Sequence, residues 1–461
     1  MERTERMEMK KNSSSLYGSE RLFGLSDAVL GASDAETTEI IVFNEDSMLT
    51  RFAGSRVHQN VAVRNMSIGL RLRYGKRIGV AWINSDDRES LKGLVASARG
   101  AAFHSPEQDL PEPVGRSEPP DASWAFDPET AEAPPEYLGQ GVRDALSRLA
   151  PYEGYGSFNK GAVEMVVANS KGLRLYHRMT DAHFCVNPMK GLASSWGQDS
   201  SIKISEIDPA RVADAARKRA EATENPADLE PGEYEVILEP LAVSELLGFA
   251  NWLGFSARAY QEGRSFLVNK LGTVVFSEEM NLWEDPSQGF PYPFDLEGVA
   301  RKPFPLVEKG VPVNLVYDMK CAANEGKEST GNGIVPFGNY PYAMNMVLRP
   351  GKKTRETLVS ETERGVLVTK LWYVNVAEPM SFTLTGMTRD GLFMVEKGKV
   401  TRALKNMRFT QNMLEALRDA EIGSDTTLVG STTWYDLHLP AGDSVPSVKL
   451  RRFNFTSSTE F

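Results

Sequence analysis

The sequence has few residues that bind soft metal ions or form disulfides. Its 461 residues include only two cysteines, Cys185 and Cys321, and five histidines. The cysteines form no CxxC pair and have no framework spacing, which excludes a disulfide scaffold and is typical of proteins in a reducing compartment. We therefore expect a cytoplasmic protein.

Long apolar runs are also missing. No stretch approaches the roughly 18 apolar residues that a membrane-spanning helix needs. The first residues, MERTERMEMKKNSSSLYG, are charged and polar and lack the apolar core of a signal peptide. We expect no membrane partner.

Positive charge is in deficit. The chain has 52 lysines and arginines against 62 acidic residues, and its formal charge of -10 at pH 7 repels a phosphate backbone. The basic run at 449–453 is short, and its alternation is typical of a terminal strand with solvated charges. Neither GxxxxGK[ST] nor a helix-opening GxGxxG is present, so we expect neither a nucleic-acid partner nor a nucleotide cofactor.

What remains has a globular composition, with 41% hydrophobic and 25% charged residues. Alternating stretches within 37–83 predict an antiparallel sheet, and three-and-four apolar spacing at 87–99 predicts a helix. A second β region at 162–195 and helices at 140–149 and 209–222 follow. The pattern predicts an α+β fold with two domains, each a curved antiparallel sheet packed against helices.

Breaks in these patterns give the predicted domain boundaries. We expect a flexible N-terminal tail at 1–20, an N-terminal α+β domain at 21–228 and a β-rich C-terminal domain at 229–461, because a Pro, Gly and acid cluster lies at 225–232. A Pro- and acid-rich stretch at 105–137 predicts a long surface connection.

The second domain is predicted to be mostly strand. Strands are expected at 234–238, at 267–276 and within 366–393, and late strands end at 453–455. A short helix is expected at 411–419.

A helix predicted at 241–255, directly after a strand, carries the first candidate site. Ser244, Glu245 and Gly248 could face a cleft, opposite an apolar stripe. A helical zinc site needs two imidazoles about one turn apart and a nearby carboxylate. Only the carboxylate, Glu245, is present, so we do not expect this chain alone to be a zinc hydrolase.

Acidic residues form the second candidate. Asp295 and Glu297, with Asp318 further along, could act as general acid and base if their pKa values are separated. The alternative, favoured by the neighbouring prolines Pro291 and Pro293, is a tight loop in which the acids accept backbone N–H groups.

A glycine-rich turn follows in ESTGNG. Thr330, Gly331 and Asn332 could hold an extended peptide through hydroxyl and amide groups, or form an ordinary hairpin.

The histidines are weak candidates. His177, His183 and Cys185 would share one face of an unbroken strand and could hold zinc. However, residues 178–182 are predicted to form a hairpin turn, which would break that register. His58, His104 and His438 have no serine or cysteine in a recognisable nucleophile elbow, and we expect them to be solvated or singly hydrogen-bonded.

The order and spacing of several motifs resemble the TldD/PmbA family over most of the chain. Besides the strand and helix at 234–255, the matching features are the turn at 169–172, PFDLEGV at 293–299, LVEKG at 306–310, Tyr317 with Asp318, STGN at 329–332, Pro341 with Asn345, TRDG at 388–391 and VEKG at 395–398.

That resemblance implies a pair of related subunits. One carries zinc on a helix with His-Glu-x-x-x-His and a later cysteine, and the other lacks these ligands. Ser244 and Phe249 stand at the two histidine positions and Glu245 at the glutamate position, and no cysteine follows Cys321. The resemblance therefore implies a TldE/PmbA-like subunit without a cofactor of its own, with zinc in its partner.

The same resemblance implies a function. We expect a non-catalytic subunit that pairs with a TldD-like metal-bearing paralogue and shapes a chamber in which unfolded or short peptides are cleaved, with Asp295, Glu297, Asp318, Thr330, Gly331, Asn332 and Asn345 as groove candidates. Two alternatives stay open: a metal-independent hydrolase, and a homodimeric peptide-binding module.

Overall fold

A computed structural model gives the architecture of the chain and describes residues 16–338, 340–431 and 438–459. Three sheets carry helices on their faces; one is entirely antiparallel, and each of the other two contains a single parallel pairing. The predicted α+β class, with curved sheets packed on helices, is confirmed. No helix in the described part of the chain is long and apolar enough to cross a membrane.

The first sheet has seven strands in the order β3-β2-β1-β4-β5-β6, with β7 on β5. Their bounds are β1 Thr37–Ala53, β2 Arg56–Tyr74, β3 Arg77–Ile83, β4 Glu153–Asn169, β5 Arg174–Lys190, β6 Ala193–Ser194 and β7 Gly197–Ser201. All of its pairings are antiparallel.

Both faces of this sheet are covered over much of its area, which its alternation explains, whereas residues 56–65 of β2 are largely exposed. On β1, Ile40 and Val42 pack toward two helices, while Ile41 and Phe43 pack toward loops from the second half of the chain. Five helices accompany the sheet: α1 Ser19–Ala32, α2 Arg88–His104, α3 Pro128–Glu132, α4 Pro135–Ser147 and α5 Pro209–Ala222.

The second half contains thirteen strands: β8 Gly232–Leu238, β9 Leu282–Glu284, β10 Phe304–Glu308, β11 Val311–Pro312, β12 Met346–Leu348, β13 Arg364–Glu378, β14 Thr383–Glu396, β15 Lys399–Ala403, β16 Met407–Asn412, β17 Glu421–Ile422, β18 Thr427–Ser431, β19 Ala441–Val445 and β20 Val448–Ser458. Its helices are α6 Pro240–Ala250, α7 Ala257–Gln261, α8 Met319–Asn324, α9 Arg355–Ser360 and α10 Met413–Ala416.

A closed barrel forms the core of this half. Strands β13, β8, β20, β16 and β14 pair in that order, and β14 returns to pair with β13, so the ring has no free edge among these five strands. A second sheet, ordered β11-β10-β9-β12-β19-β18, lies beside it. The two structures share one large apolar core, in which Phe266 and Phe382 stack at 4.4 Å between ring centroids.

Three local predictions are wrong. Residues 267–276 form successive turns and no strand, because Asn269 and Gly272 take positive φ and reverse the chain. The helix predicted at 411–419 begins two residues too early, because Gln411 and Asn412 belong to β16 and Asn412 caps α10; a 3-10 turn at Leu417–Asp419 then completes the helical segment. The hairpin turn predicted at 178–182 is absent, since β5 runs through it unbroken and pairs with β4 over its whole length.

Two predicted surface segments are more structured than expected. The connection at 105–137 contains α3 and the start of α4, and Ala125 and Thr130 within it are fully buried. Residues 1–15 of the predicted tail lie outside the described residues. Its last part contacts the folded chain, because Tyr17 and Gly18 donate backbone hydrogen bonds to Glu164 and α1 begins at Ser19. The domain boundary near 228 stays a prediction.

Candidate functional site

Helix α6 presents two different faces. Its buried residues recur at helical spacing and pack into the apolar core: Ala242, Val243, Leu246, Leu247 and Ala250. Leu241, Ser244, Glu245 and Gly248 follow the i, i+3, i+4, i+7 pattern on the other side and line a cavity. The helix starts with Pro240 at its first position, where the missing N–H costs no hydrogen bond.

A π-helical turn at Asn251–Phe255 continues α6. The fully buried Asn251 amide fixes this turn, since its Nδ2 donates to the carbonyl of Ala343 at 2.8 Å and its Oδ1 accepts from the Ala343 N–H at 3.1 Å. Such turns inside helices are frequent at functional sites. This one places Trp252 at the cavity, where its side chain is 48% exposed.

The cavity has a volume of about 960 Å³ and is mostly apolar. Its walls come from α6, the loop before β12, the barrel strand β13, strands β18 and β19, and one residue of β7. The lining residues are Gln198, Leu241, Ser244, Glu245, Gly248, Phe249, Trp252, Val335, Pro336, Tyr340, Tyr342, Lys370, Leu371, Val429, Gly430 and Asp443. Ser244, Glu245 and Phe249, the positions at which the resemblance implies a metal site in related chains, therefore line one cavity.

Ser244 and Asp443 form a hydrogen-bonded pair in the cavity wall. The Ser244 hydroxyl donates to Asp443 Oδ2 at 2.9 Å, across from α6 to β19. Enclosure by protein raises the pKa of Asp443 to about 7, and the charge of Glu284 adds to this rise, while the Ser244 hydrogen bond opposes it. The Asp443 carboxyl group therefore titrates near neutral pH.

Glu245 and Lys370 are the other ionisable side chains of opposite charge in the wall. Enclosure raises the pKa of Glu245, and Lys370 partly opposes this. Enclosure lowers the pKa of Lys370, against the charge of Asp390. The Lys370 ammonium lies 3.6 Å from the centroid of the Trp196 ring and 3.7 Å from Asp390 Oδ2, so it is held at the back of the wall.

These donors do not fit a zinc ion. Structural and catalytic zinc sites use imidazole, thiolate and carboxylate ligands in tetrahedral sets. The described cavity lining offers two carboxylates, three hydroxyls, one amine and one amide, with neither imidazole nor thiol. Across residues 16–338, 340–431 and 438–459, His, Cys, Asp and Glu nowhere cluster in threes suited to a metal ion.

The structure gives His177, His183 and Cys185 three separate environments along β5. His177 Nε2 lies 2.9 Å from the carbonyl of Pro291, and burial lowers the pKa of His177 to about 4. His183 Nδ1 hydrogen-bonds Ser200 at 2.6 Å, and Cys185 contacts the Ser157 hydroxyl at 3.5 Å. Although they share an unbroken strand, each side chain is bonded to a different polar group.

The acidic candidates lie in the interior, where their carboxylates accept backbone hydrogen bonds. Asp295 accepts from the N–H groups of Glu297, Val299 and Gly333 at 2.8–3.0 Å. Glu297 accepts from the Met319 N–H at 2.7 Å, and Asp318 caps α8 by accepting from Cys321. Burial raises the pKa of Asp295 and of Glu297, and the neighbouring Asp295 raises that of Glu297 further, so the pair titrates as a unit.

The remaining groove candidates belong to the same buried network. Asn332 Nδ2 donates to Glu284 at 3.2 Å, and Asn345 Oδ1 accepts from Arg301 at 3.3 Å, with Arg301 and Glu284 forming an ion pair that is 1% exposed on each side. Thr330 Oγ1 donates to the Asn332 side chain at 2.7 Å, and Gly331 takes φ +75° against Arg301.

The seven residues predicted to line a peptide groove instead belong to this largely interior network. Asp295, Asp318, Asn332 and Asn345 are each at most 1% exposed, and none of the seven candidates lines the cavity. A peptide cannot reach these four side chains in this conformation. Their observed contacts stabilise the loops behind the cavity.

The other histidines do not reach the cavity. His58 and His104 are exposed. His438 Nε2 lies 2.6 Å from Asp181, a fully buried carboxylate, and the charge of Asp181 raises the pKa of His438 against the opposing effect of burial. This pair is remote from the described lining.

Sequence reasoning missed Asp443, Lys370 and the aromatic walls Trp252, Tyr340 and Tyr342. Lys370 could have been identified from the sequence, because a lysine within the apolar stretch LVTKLW predicts a buried or paired ammonium group. Asp443 carried none, because AGDSV has no distinctive pattern and its approach to α6 depends on chain segments about 200 residues apart.

Known proteins were compared with this chain. Residues 231–457 match the sequence model of the PmbA/TldA metallopeptidase C-terminal domain. A metalloprotease of Methanothermobacter thermautotrophicus is 27% identical over 239 residues, covering 48% of this chain and 49% of the relative. A metalloprotease of Methanocaldococcus jannaschii is 25% identical over 197 residues, covering 40% and 42%. The alignments thus span about half the length of these curated relatives.

Solved structures share the whole fold. TldE from Thermococcus kodakarensis superposes with a TM-score of 0.82 at 22% identity, covering 95% of this chain and 100% of its own. A Thermotoga maritima protein described as a modulator of DNA gyrase superposes with a TM-score of 0.81 at 18% identity, covering 94% and 100%. The sequence match over residues 231–457, together with the relatives named metalloproteases, places the barrel half of this chain in the TldD/PmbA family.

Proposed function

We propose that this chain is a non-catalytic, TldE-like subunit of a metallopeptidase complex. It pairs with a metal-bearing TldD-like paralogue, and its cavity forms part of the compartment that receives unfolded or short peptides. Zinc belongs to the partner, and this chain contributes surface and shape. The proposal places the complex in the cytoplasm.

One observation carries the proposal. The helix at which the family resemblance implies a metal site lines a cavity of about 960 Å³, yet Ser244 and Phe249 stand where histidines are expected. The cavity thus keeps the space for a substrate without the ligands for a metal. Such a combination favours a binding role over an independent zinc-dependent reaction.

The walls suit a peptide. Phe249 and Trp252 lie 6.3 Å apart between ring centroids, and the Tyr340 hydroxyl donates to the Trp252 carbonyl at 2.8 Å. Apolar walls with a few polar groups bind extended chains whose side chains are not yet buried in a folded core.

An exposed aromatic patch beside the cavity favours a protein partner. Trp372 and Tyr373 follow the cavity residue Leu371 on β13, and Tyr373 is 65% exposed. Arg389 stacks on Trp372 at 3.7 Å. Aromatic and arginine side chains dominate binding energy at protein interfaces, so this patch is our candidate for pairing.

The test is assembly followed by activity. The purified chain mixed with its metal-bearing paralogue should form a complex by light scattering and cleave an unstructured peptide only when zinc is present. The chain alone should show no cleavage. Trp372→Ala should weaken association, whereas Trp124→Ala, which removes a tryptophan 47% exposed elsewhere, should not.

Failure of the two chains to associate overturns the proposal. Self-association of this chain without the paralogue would instead favour the homodimeric peptide-binding module.

A second function has one observation in its favour. The Ser244 hydroxyl donates to Asp443, whose pKa of about 7 suits a general base, so the chain could hydrolyse a bound substrate without metal. Chelator-resistant cleavage by the pure chain, abolished by Ser244→Ala, would support that reading. No turnover by the pure chain would eliminate it.

A further inference from the structure

The charged groups in the cavity wall differ in the protein partners that they contact. Three described lining residues carry ionisable acid or base groups other than tyrosine: Glu245, Asp443 and Lys370. Glu245 is exposed to the open cavity, where water solvates its carboxylate, but a ligand that fills the cavity displaces this water, and a charged group then needs a partner. The partners of the three groups therefore indicate what a ligand would have to supply.

Two of the three groups already have partners. Lys370 lies against the Trp196 ring and pairs with Asp390, which is 3% exposed. Asp390 also accepts hydrogen bonds from Asn187 and Ser194 and lies 4.0 Å from Arg389, whose guanidinium stacks on Trp372. Asp443 accepts from the Ser244 hydroxyl. These contacts turn both groups toward protein partners.

Glu245 differs from both. Among the residues that the structure describes, no side chain or backbone group donates a hydrogen bond to its carboxylate, and no ion pair within 4 Å includes it. Its charge interacts with Lys370 only through space. The side chain is accessible from the cavity, so a ligand can reach it.

The surroundings of Glu245 suit a cation. Phe249, Trp252, Tyr340 and Tyr342 line the same cavity, and aromatic faces attract ammonium and guanidinium groups through their quadrupole. A carboxylate without a described donor and several aromatic faces thus line one cavity, and both kinds of group stabilise an ammonium group.

We propose that the cavity binds an ammonium group of a peptide, either a lysine side chain or a free amino terminus, with Glu245 as its counter-ion and the aromatic wall around it. This inference rests on the proposed function and deepens it by naming the chemical class of peptide. Glu245, at the position where the family resemblance places a glutamate of a metal site, then serves as a specificity-determining residue.

Calorimetric titration with four pentapeptides tests the proposal. Three are acetylated and amidated, with the sequence alanine, phenylalanine, X, phenylalanine, alanine, where X is lysine, norleucine or glutamate. The fourth has X as norleucine and a free amino terminus. Lysine and norleucine have similar apolar stems, so their difference reports the ammonium group.

The lysine peptide, the free-amine peptide or both should bind about tenfold more tightly than the blocked norleucine peptide, which equals about 1.4 kcal/mol. Which of the two gains affinity identifies the source of the ammonium group. Glu245→Gln should remove the preference. The matched control is Glu278→Gln, which neutralises an exposed glutamate outside the described lining and should keep it.

Equal affinity for all four peptides, tighter binding of the glutamate peptide, or a preference that survives Glu245→Gln would overturn the inference. So would undetectable binding of every peptide, both to the chain alone and to its complex with the partner kept zinc-free. Complex formation measured by light scattering is independent of these titrations, so the proposed pairing can stand when the ammonium preference fails.

Discussion

Filling the cavity from α6 should block peptide binding without harming the fold. Gly248 lines the cavity, and a Cβ atom built on it meets nothing within 4 Å. Its backbone is helical and outside the left-handed region, so other side chains fit there without strain. Gly248→Trp places an indole in the space that the proposed function assigns to a peptide side chain.

Gly248→Trp should affect folding stability and peptide affinity in opposite directions. Replacing an interior helical glycine by alanine stabilises a helix by about 0.5–1 kcal/mol, and tryptophan gains somewhat less because its χ1 freedom is restricted. Losing one buried apolar side chain of a ligand costs about 1.5–3 kcal/mol of binding, or roughly tenfold to more than a hundredfold in affinity. The tryptophan variant should therefore be at least as stable as the parent but bind peptide weakly.

Urea unfolding and peptide titration measure these effects on the same samples. Gly248→Ala controls for the backbone change and should keep peptide affinity. Gly93→Trp, at another open helical position, controls for adding a tryptophan. A Gly248→Trp protein that folds and binds peptide like the parent would refute the assignment of the cavity. A Gly248→Trp protein that unfolds at a lower urea concentration than the parent would show that the space next to Gly248 cannot hold an indole ring.

Four further results are expected. Gly254→Ala should destabilise the chain by about 1–3 kcal/mol in urea, because its Cβ would lie 2.3 Å from the Phe266 ring; unchanged stability would contradict this packing. Asp443 has a folded pKa of about 7, above its unfolded value, so the folded state binds the extra proton and loses stability as pH rises from about 4 to 7. In urea titrations, the free energy of unfolding of Asp443→Asn relative to that of the parent should therefore increase by about 2–4 kcal/mol over this pH range and stay constant above it. A difference that does not change with pH would argue against the raised pKa of Asp443. Arg301→Met should cost about 3–5 kcal/mol in urea unfolding because it leaves Glu284 buried without its cation, and adding Glu284→Gln should recover part of the loss. The double variant Ser244→His, Phe249→His should not hold zinc by metal analysis after dialysis, since no third soft ligand lines the described cavity; one zinc per chain would show that the site is misread.

Periodicity predicted the elements whose burial pattern is regular. Helix α5 was predicted with its observed ends because its alanines and Val212 recur on one face and Asp208 caps it. The strand predicted at 267–276 was wrong. Its apolar residues are typical of a strand, and Phe266, Leu267, Val275 and Phe276 are indeed buried, but Asn269 and Gly272 take positive φ and form turns. Local turn geometry outweighed the apolar pattern there.

The candidate site was predicted in part. The cavity-facing residues Ser244, Glu245 and Gly248 follow from helical spacing alone, because the apolar stripe of α6 leaves one face free. The acidic candidates show the limit of that approach. Asp295 and Asn345 are polar and flank turns, as binding residues often do, yet both are satisfied in the interior by chain segments distant in sequence.

By itself, the sequence determined the α+β class, the amphipathic helix predicted at 241–255 and the lack of histidine on it, because these depend on residue types and on spacing within one element. Only the tertiary structure decided that Asp443 lies against Ser244, that Lys370 is held by Asp390, and that the Glu245 carboxylate has no described hydrogen-bond donor. The physical reason is that a side chain's charge and hydrogen bonds depend on which strands the barrel and its neighbouring sheet bring together, and that pairing joins segments up to about 200 residues apart.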